Sequence, residues 1–372
     1  MTNPRRIFVA EPFLGPQARE YVLDCIDSTW ISSHGKYIPE FERRFAQFCG
    51  TQSAVSTNNG TSALHLVLAA FGVVPGDEVI VPAVTYVATA NVVRYCGATP
   101  VPVDVTMPTL AIDPDAIERA ITPRTRGIIP VHMYGHPVDM DAVNDVAARH
   151  GLWVVEDAAE AHGATVRGRT VGSLGRAAAF SFFGNKIVTT GEGGMVTTND
   201  PELEERLRLL RGQGMDPDRR YWFTVVGYNY RMTNIQAALG VAQMERVEEA
   251  LAARRQVAKW YDEALAGLVE DLVVPRVEPW AEHVYWMYTV FLTSGGRDRR
   301  DTVMEAMDAD RIETRPVFHP IPTLPPYHQG RRFPVADTWA NRGINLPTHE
   351  HLTEADVERV THALASALRK SP

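Results

Sequence analysis

Cysteine is nearly absent from this chain. Cys25, Cys49 and Cys96 are the three present in 372 residues. None forms a C-x-x-C pair, and an odd, scattered set argues against a disulfide framework. No uninterrupted apolar run reaches membrane-spanning length, and the apolar stretch after Arg5 and Arg6 ends too soon for a signal peptide. The expectation is a cytoplasmic protein. Positive charge is not in excess either: 37 Lys and Arg stand against 45 Asp and Glu, a formal net charge of −8. That balance disfavours a bulk basic surface for nucleic acid or anionic membrane, while leaving room for a local basic pocket. Two nucleotide-binding signatures are also missing. No G-x-x-x-x-G-K-[ST] occurs, and no G-x-G-x-x-G follows a strand, so a P-loop is excluded and a nicotinamide-binding fold is disfavoured. There is no internal repeat and no low-complexity linker.

What is there is the composition of a globular protein, 45% hydrophobic and 22% charged, long enough for two domains. From about residue 52 to 200, short β-branched runs alternate with amphipathic ones. E-V-I-V-P (78–82), T-P-V-P-V-D (99–104), G-I-I-P-V-H (127–132) and L-W-V-V-E-D (152–157) read as buried strands. Segments 62–71 and 139–150 read as helices between them. Such alternation predicts an α/β fold, a mostly parallel sheet with helices on both faces, whose ligands gather at the carboxyl ends of the strands. A long helix is expected over 233–255, leading out of a large domain that spans residues 1–250. Beyond it, a strand over 283–292, a helix over 301–309 and a final helix capped by Thr353 and Asp356 predict a small α+β domain, 251–372.

Three stretches invite a chemical reading. In F-S-F-F-G-N-K-I-V-T-T-G-E-G-G-M-V (180–196), Lys186 sits between an apolar run and a glycine cluster. A lysine amine attacks carbonyls only when unprotonated, and apolar surroundings favour that form; a solvated loop lysine is the plainer alternative. In E-D-A-A-E-A-H-G-A (156–164), Asp157 ends a hydrophobic strand. It could hold a pyridine nitrogen protonated, or simply cap a helix. In S-T-N-N-G-T-S-A-L-H (56–65), Gly60, Thr61 and Ser62 open a helix and offer either a phosphate cradle or an ordinary cap. Taken together the three describe a pyridoxal 5'-phosphate site.

The order and setting of these motifs resemble the DegT/DnrJ/EryC1/StrS family of sugar aminotransferases, from W-I-S-S-H-G-K-Y-I-P-E-F-E (30–42) to I-N-L-P-T-H (344–349). L-R-G-Q-G-M-D-P-D-R-R-Y-W-F and G-Y-N-Y-R-M-T-N-I-Q-A-A belong to the same likeness. The resemblance implies a fold type I (aspartate aminotransferase-like) architecture with Lys186 binding the cofactor and shuttling protons. It implies further that Asp157 pairs with the ring nitrogen and that Glu160 lies near the ring hydroxyl or the substrate. Tyr86 would stack on the cofactor's outer face. Gly60, Thr61 and Ser181 would hold the phosphate, with Asn229 reaching it from the neighbouring subunit of a homodimer with shared sites. The implied reaction is ping-pong transfer of an amino group from glutamate to a nucleotide-linked 4-keto-6-deoxy sugar. GDP-4-keto-6-deoxymannose is the first expectation and a dTDP- or UDP-linked sugar the alternative. Related sugar 3-dehydratases carry histidine at the lysine position, so Lys186 argues against that activity. The complete set of site residues argues against a non-catalytic sugar-binding relative.

Histidines and arginines are weighed separately. His349-Glu350-His351 lacks metal-ligand spacing and reads as a solvated loop, so no metal is expected. His319, in R-P-V-F-H-P-I-P-T-L-P-P-Y, falls on a loop that similar enzymes place over the sugar, with Pro322 where a second histidine tends to occur. Arg219, Arg220, Arg231 and Arg315 are the candidate cations for a diphosphate.

Overall fold

The computed structural model describes residues 5–268, 270–328 and 330–371. Its main sheet has seven strands: β1 (Ser53–Thr57), β2 (Glu78–Pro82), β3 (Thr99–Val103), β4 (Thr125–Ile128), β5 (Trp153–Asp157), β8 (Ala177–Ser181) and β9 (Gly194–Thr198). Between β5 and β8 lie the short strands β6 (Thr165–Val166) and β7 (Arg169–Thr170). The spatial order is β1-β9-β8-β5-β4-β2-β3. β9 alone runs antiparallel to its neighbours in this sheet; the others are parallel. The expected mostly parallel sheet is therefore present, and its apolar strands are covered on both faces, as such sheets require.

Strands read at 78–82, 99–104 and 152–157 form where expected. The third, expected over 127–132, stops at Ile128. Pro130 has no N–H to give the ladder, and pairing resumes only as the Val131–Asp157 bridge. The helix expected over 233–255 is two helices, Asn234–Met244 and Val247–Leu265. No glycine or proline marks the break. Instead Glu245 accepts from Tyr21 and Arg44, while Arg246 turns away to Glu350. The second helix spans two cores: Val247 and Leu251 pack with the main sheet, whereas Val257, Ala258, Tyr261 and Leu265 pack with the C-terminal segment.

That segment carries β10 (Leu272–Val273), β11 (Ala281–Glu282), β12 (Tyr288–Leu292), β13 (Arg315–Pro316) and β14 (Gly343–Leu346). All but β11 form an antiparallel sheet in the order β10-β12-β14-β13. The strand expected over 283–292 is shorter, because 283–287 leaves the sheet for contacts with residues 134 and 135. Helices Arg297–Ala309 and Glu354–Lys370 flank this sheet, the latter with the expected Thr353–Asp356 capping box. The loop at 349–351 is packed rather than solvated. His349 is buried, Glu350 pairs with Arg246, and His351 lies against Phe13. Among the described residues, no helix is long and apolar enough to cross a membrane, and no cluster of metal-ligating side chains occurs.

Candidate active site

The parallel strands β1, β2, β5 and β8 deliver their carboxyl ends to one edge of the sheet. There a cavity of about 780 Å³ opens between that edge and the C-terminal sheet. Its lining includes Gly60, Thr61, Tyr86, Asp157, Glu160, Ser181, Lys186 and Arg315. Residues that the sequence scatters over more than 250 positions thus meet in one place, where α/β sheets bind ligands.

Lys186 lies in the connection between β8 and β9. Its backbone N–H closes a turn on Phe183 O, and its side chain is one-tenth exposed. The amine is 3.8 Å from Glu160 Oε1 and 3.6 Å from the centroid of the Trp286 ring. Burial pushes the amine's pKa down, against the opposing pull of Glu160 and then Asp157. Burial likewise pushes Glu160 up, although Lys186 and the Tyr134 N–H favour its charged form. Both groups are thereby shifted toward neutrality, which suits an amine that must act as nucleophile and base.

Asp157 ends β5 and caps no helix. Its Oδ2 accepts from Thr89 Oγ1 at 2.7 Å and its Oδ1 from Ala159 N–H at 3.2 Å. Burial raises its pKa, and among the described residues it has no ion-pair partner within salt-bridge distance. A buried carboxylate on a cavity wall with no ion-pair partner at salt-bridge distance among the described residues fits a protonated ring nitrogen. The preceding residue serves the scaffold. On the opposite face of the strand, Glu156 accepts from His132 and from the N–H groups of Gly172, Leu174 and Gly175.

The phosphate end fits as well. Asn59, rather than Thr61 or Ser62, caps helix Gly60–Ala70 by accepting from Ser62 N–H. That leaves the Gly60 and Thr61 N–H groups without a partner among the described residues. A Cβ on Gly60 would come within 2.7 Å of Ser181 Cβ, so a bare backbone is required where the helix meets the end of β8. The cavity's donor set matches a phosphorylated pyridine aldehyde.

Tyr86 stands at the mouth, more than half exposed, against Phe318. Arg315 lines the cavity and pairs with Glu313. The other expected residues do not line it. Asn229, Arg219 and Arg220 are exposed on one hairpin, with Arg219 over Trp222 and Arg220 over Tyr221. Arg231 follows this hairpin, and its Nε is buried without a hydrogen-bond partner among the described residues. His319 is exposed and does not line the cavity, and the charges that act on it are Arg297, Arg300 and Asp301. Residues missed from the sequence are Thr89, Tyr134, Trp286 and Asn345. Only Thr89 left a signal, three residues after Tyr86 at the start of a helix; the other three arrive through tertiary contacts.

Residues 13–365 match the DegT/DnrJ/EryC1/StrS aminotransferase family. The chain is 57% identical over 370 residues to GDP-perosamine synthase of Caulobacter vibrioides, covering 99% of this chain and 100% of that protein. It is 44% identical to GDP-perosamine synthase of Escherichia coli O157:H7, covering 94% and 95%. Among solved structures, the PLP-form of the putative sugar aminotransferase Spr1654 from Streptococcus pneumoniae superposes with a TM-score of 0.94. It is 28% identical, with 99% of this chain and 100% of that chain covered.

Proposed function

The chain belongs to the DegT/DnrJ/EryC1/StrS aminotransferase family, and from that premise we propose that it aminates C4 of GDP-4-keto-6-deoxy-D-mannose to give GDP-perosamine, with glutamate as amino donor. What carries the sugar assignment is the likeness along the whole chain, 57% identity over 99% of it, to a GDP-perosamine synthase.

Pyridoxal phosphate, when bound, supplies a carbonyl that carries the amino group from donor to acceptor and a protonated ring that takes up the electron pair at the reacting carbon. The chain's residues supply the rest. Gly60, Thr61 and Ser181 hold the phosphate, and Asp157 accepts the ring N–H and keeps that proton in place. Lys186 Nζ, its pKa pushed down by burial, takes a proton from the donor's α-carbon and delivers one to C4 of the sugar. Glu160, held by the Tyr134 N–H, keeps the amine within reach, and Tyr86 covers the mouth.

Arg315 is the one cation besides Lys186 among the described residues lining the cavity, too little for a nucleoside diphosphate. The missing charge and Asn229 come from a second copy of the chain. This reading is supported by a hairpin that leaves Tyr221, Trp222, Phe223, Val225 and Val226 exposed beside Arg219 and Arg220. The test is product formation with GDP-, dTDP- and UDP-linked 4-keto-6-deoxy sugars run side by side. Amination of the GDP-sugar in strong preference is expected; preference for either other nucleotide overturns the substrate assignment and leaves the aminotransferase chemistry standing.

A further inference from the structure

The segment H-V-Y-W-M-Y (283–288) reads as strand, yet its first five residues fold otherwise. Tyr285 takes φ 49°, and across from it Tyr134 takes φ 54°. Positive φ is rare for bulky residues and marks positions that the surroundings over-determine. The two bends are tied together: Val284 N–H donates to Gly135 O, and Met287 N–H to Tyr134 O. A side chain at Gly135 would collide with Trp286 N at 2.8 Å. The product of this doubly bent seam is the placement of one side chain, Trp286, against the cavity.

The indole is fixed on every side. It is 4% exposed, its Nε1–H donates to Asn185 O at 2.9 Å, and Tyr134 stacks on it with ring centroids 6.0 Å apart. Asn185 immediately precedes Lys186, so the bond that orients the ring is anchored to the lysine's own backbone. The face so presented receives Lys186 Nζ at 3.6 Å from the ring centroid. Glu160 approaches the same amine and is itself held by Tyr134 N–H. Trp286 and Glu160, both held by Tyr134, thus flank the amine.

We propose that Trp286 is a positioning residue for the reaction: its indole face is the seat that holds the protonated Lys186 amine whenever that amine is not bonded to the cofactor. A proton-shuttling lysine passes repeatedly through a charged form, which a dry pocket penalises. A ring quadrupole stabilises an ammonium without adding a further carboxylate that could hold the proton permanently. The seat also limits where the amine can go, so that its proton is delivered within the cavity. The inference rests on Lys186 being the catalytic amine, and it assigns Trp286 no contact with substrate.

The test reads the lysine directly and needs no turnover. In full-length protein freed of cofactor, acetylation of Lys186 by acetic anhydride is followed against pH by peptide mass spectrometry, with exposed Lys36 and Lys259 as references. The titratable groups that act on the amine are Glu160, Asp157 and His162, and all are retained in the variants. Trp286→Leu should move the Lys186 midpoint down by about one pH unit, equivalent to about tenfold in protonation. Trp286→Phe, which loses the same Nε1–H bond but keeps a π face, should restore most of that shift. Fluorinated tryptophan incorporated in place of tryptophan weakens the ring quadrupole without changing its shape, and should give an intermediate downward shift even if a substituted variant does not fold. In turnover, Trp286→Leu should lower kcat about tenfold with the sugar KM within about twofold. Equal Lys186 midpoints in the Leu and Phe variants, or none moved by fluorination, would overturn the proposal and leave Trp286 as packing. Lys186 failing to be the catalytic amine would appear separately, as a Lys186→Ala variant that still turns over.

Discussion

Lys186 Nζ lies 3.8 Å from Glu160 Oε1, with the two side chains one-tenth and 4% exposed. Each is the other's largest favourable electrostatic partner in a site where burial opposes both charges. Glu160→Gln keeps an acceptor for the Tyr134 N–H but removes the charge. Without that charge the lysine's pKa falls further, so the free amine persists to lower pH. The acid limb of the kcat profile should therefore move to lower pH while maximal kcat drops by about a hundredfold, within the range expected for acid–base groups. A pH–rate profile of the variant decides; an unchanged limb and rate would remove Glu160 from the mechanism.

Asp157 should show the opposite sign in stability and activity. Its folded pKa is raised above the unfolded value, so at pH 7 the cofactor-free protein carries the cost of a buried anion, a cost that disappears as pH falls below the unfolded value. Asp157→Asn should therefore melt at or above the wild type without cofactor, yet gain less from added pyridoxal phosphate and lose kcat by about a hundredfold. Differential scanning with and without cofactor measures both. A variant less stable without cofactor but stabilised as fully as wild type by adding it would contradict the assigned role.

His162 predicts how acid weakens the fold. Phe45, Phe180 and Phe182 surround its ring, and burial pushes its pKa down to about 3, against the weaker pull of the Ser181 backbone. Above pH 6.5 it is neutral folded or unfolded and costs nothing. As pH falls, the unfolded chain takes up a proton that the folded chain refuses, so stability is lost from about pH 6.5 downward. At pH 5 the loss is about 2 kcal/mol. His162→Phe should remove it, melting higher than wild type at pH 5 by a margin greater than at pH 7.5. Equal margins at both pH values would show that the histidine does not titrate as its surroundings dictate.

The exposed hairpin predicts assembly. Val226 is 92% exposed on the returning arm of the hairpin, between the residues that bridge to Met215 and Gly212, a position where a charge costs a lone chain nothing. Val226→Asp should leave monomer stability unchanged while shifting the protein from dimer toward monomer in sedimentation, with activity falling in step. A wild type that sediments as a monomer at working concentration would contradict the shared site.

How much of this was legible in the sequence depended on whether local pattern or long-range contact decided the matter. The strands ending at Pro82 and Asp157, the helix opened by Gly60 and the Thr353 cap were written in short stretches, and they form as read. Lys186, Asp157 and Gly60 also stood out, by residue types unusual in their settings, and the fold brings them to one cavity. The break at Glu245 was not legible, because partners 200 or so positions earlier impose it. Trp286 was hidden for the same reason, in a run with the alternation of a strand but bent by a seam with Tyr134. His349 looked solvated beside Glu350 because nothing local reveals that Arg246 and the N-terminal segment cover it. That His319 stays out of the cavity depended on the path of its loop, which no local pattern reveals.

The central claim is that one buried amine organises the site, and the chain is well suited to testing it. Its lysines are Lys36, Lys186, Lys259 and Lys370. Full-length protein mixed with pyridoxal phosphate, reduced with borohydride and mapped by peptide mass spectrometry should carry the pyridoxyl group on Lys186 alone, and Lys186→Ala should carry none and turn over no substrate. Label on any other lysine with Lys186 unmodified, or undiminished turnover by the alanine variant, would contradict the account.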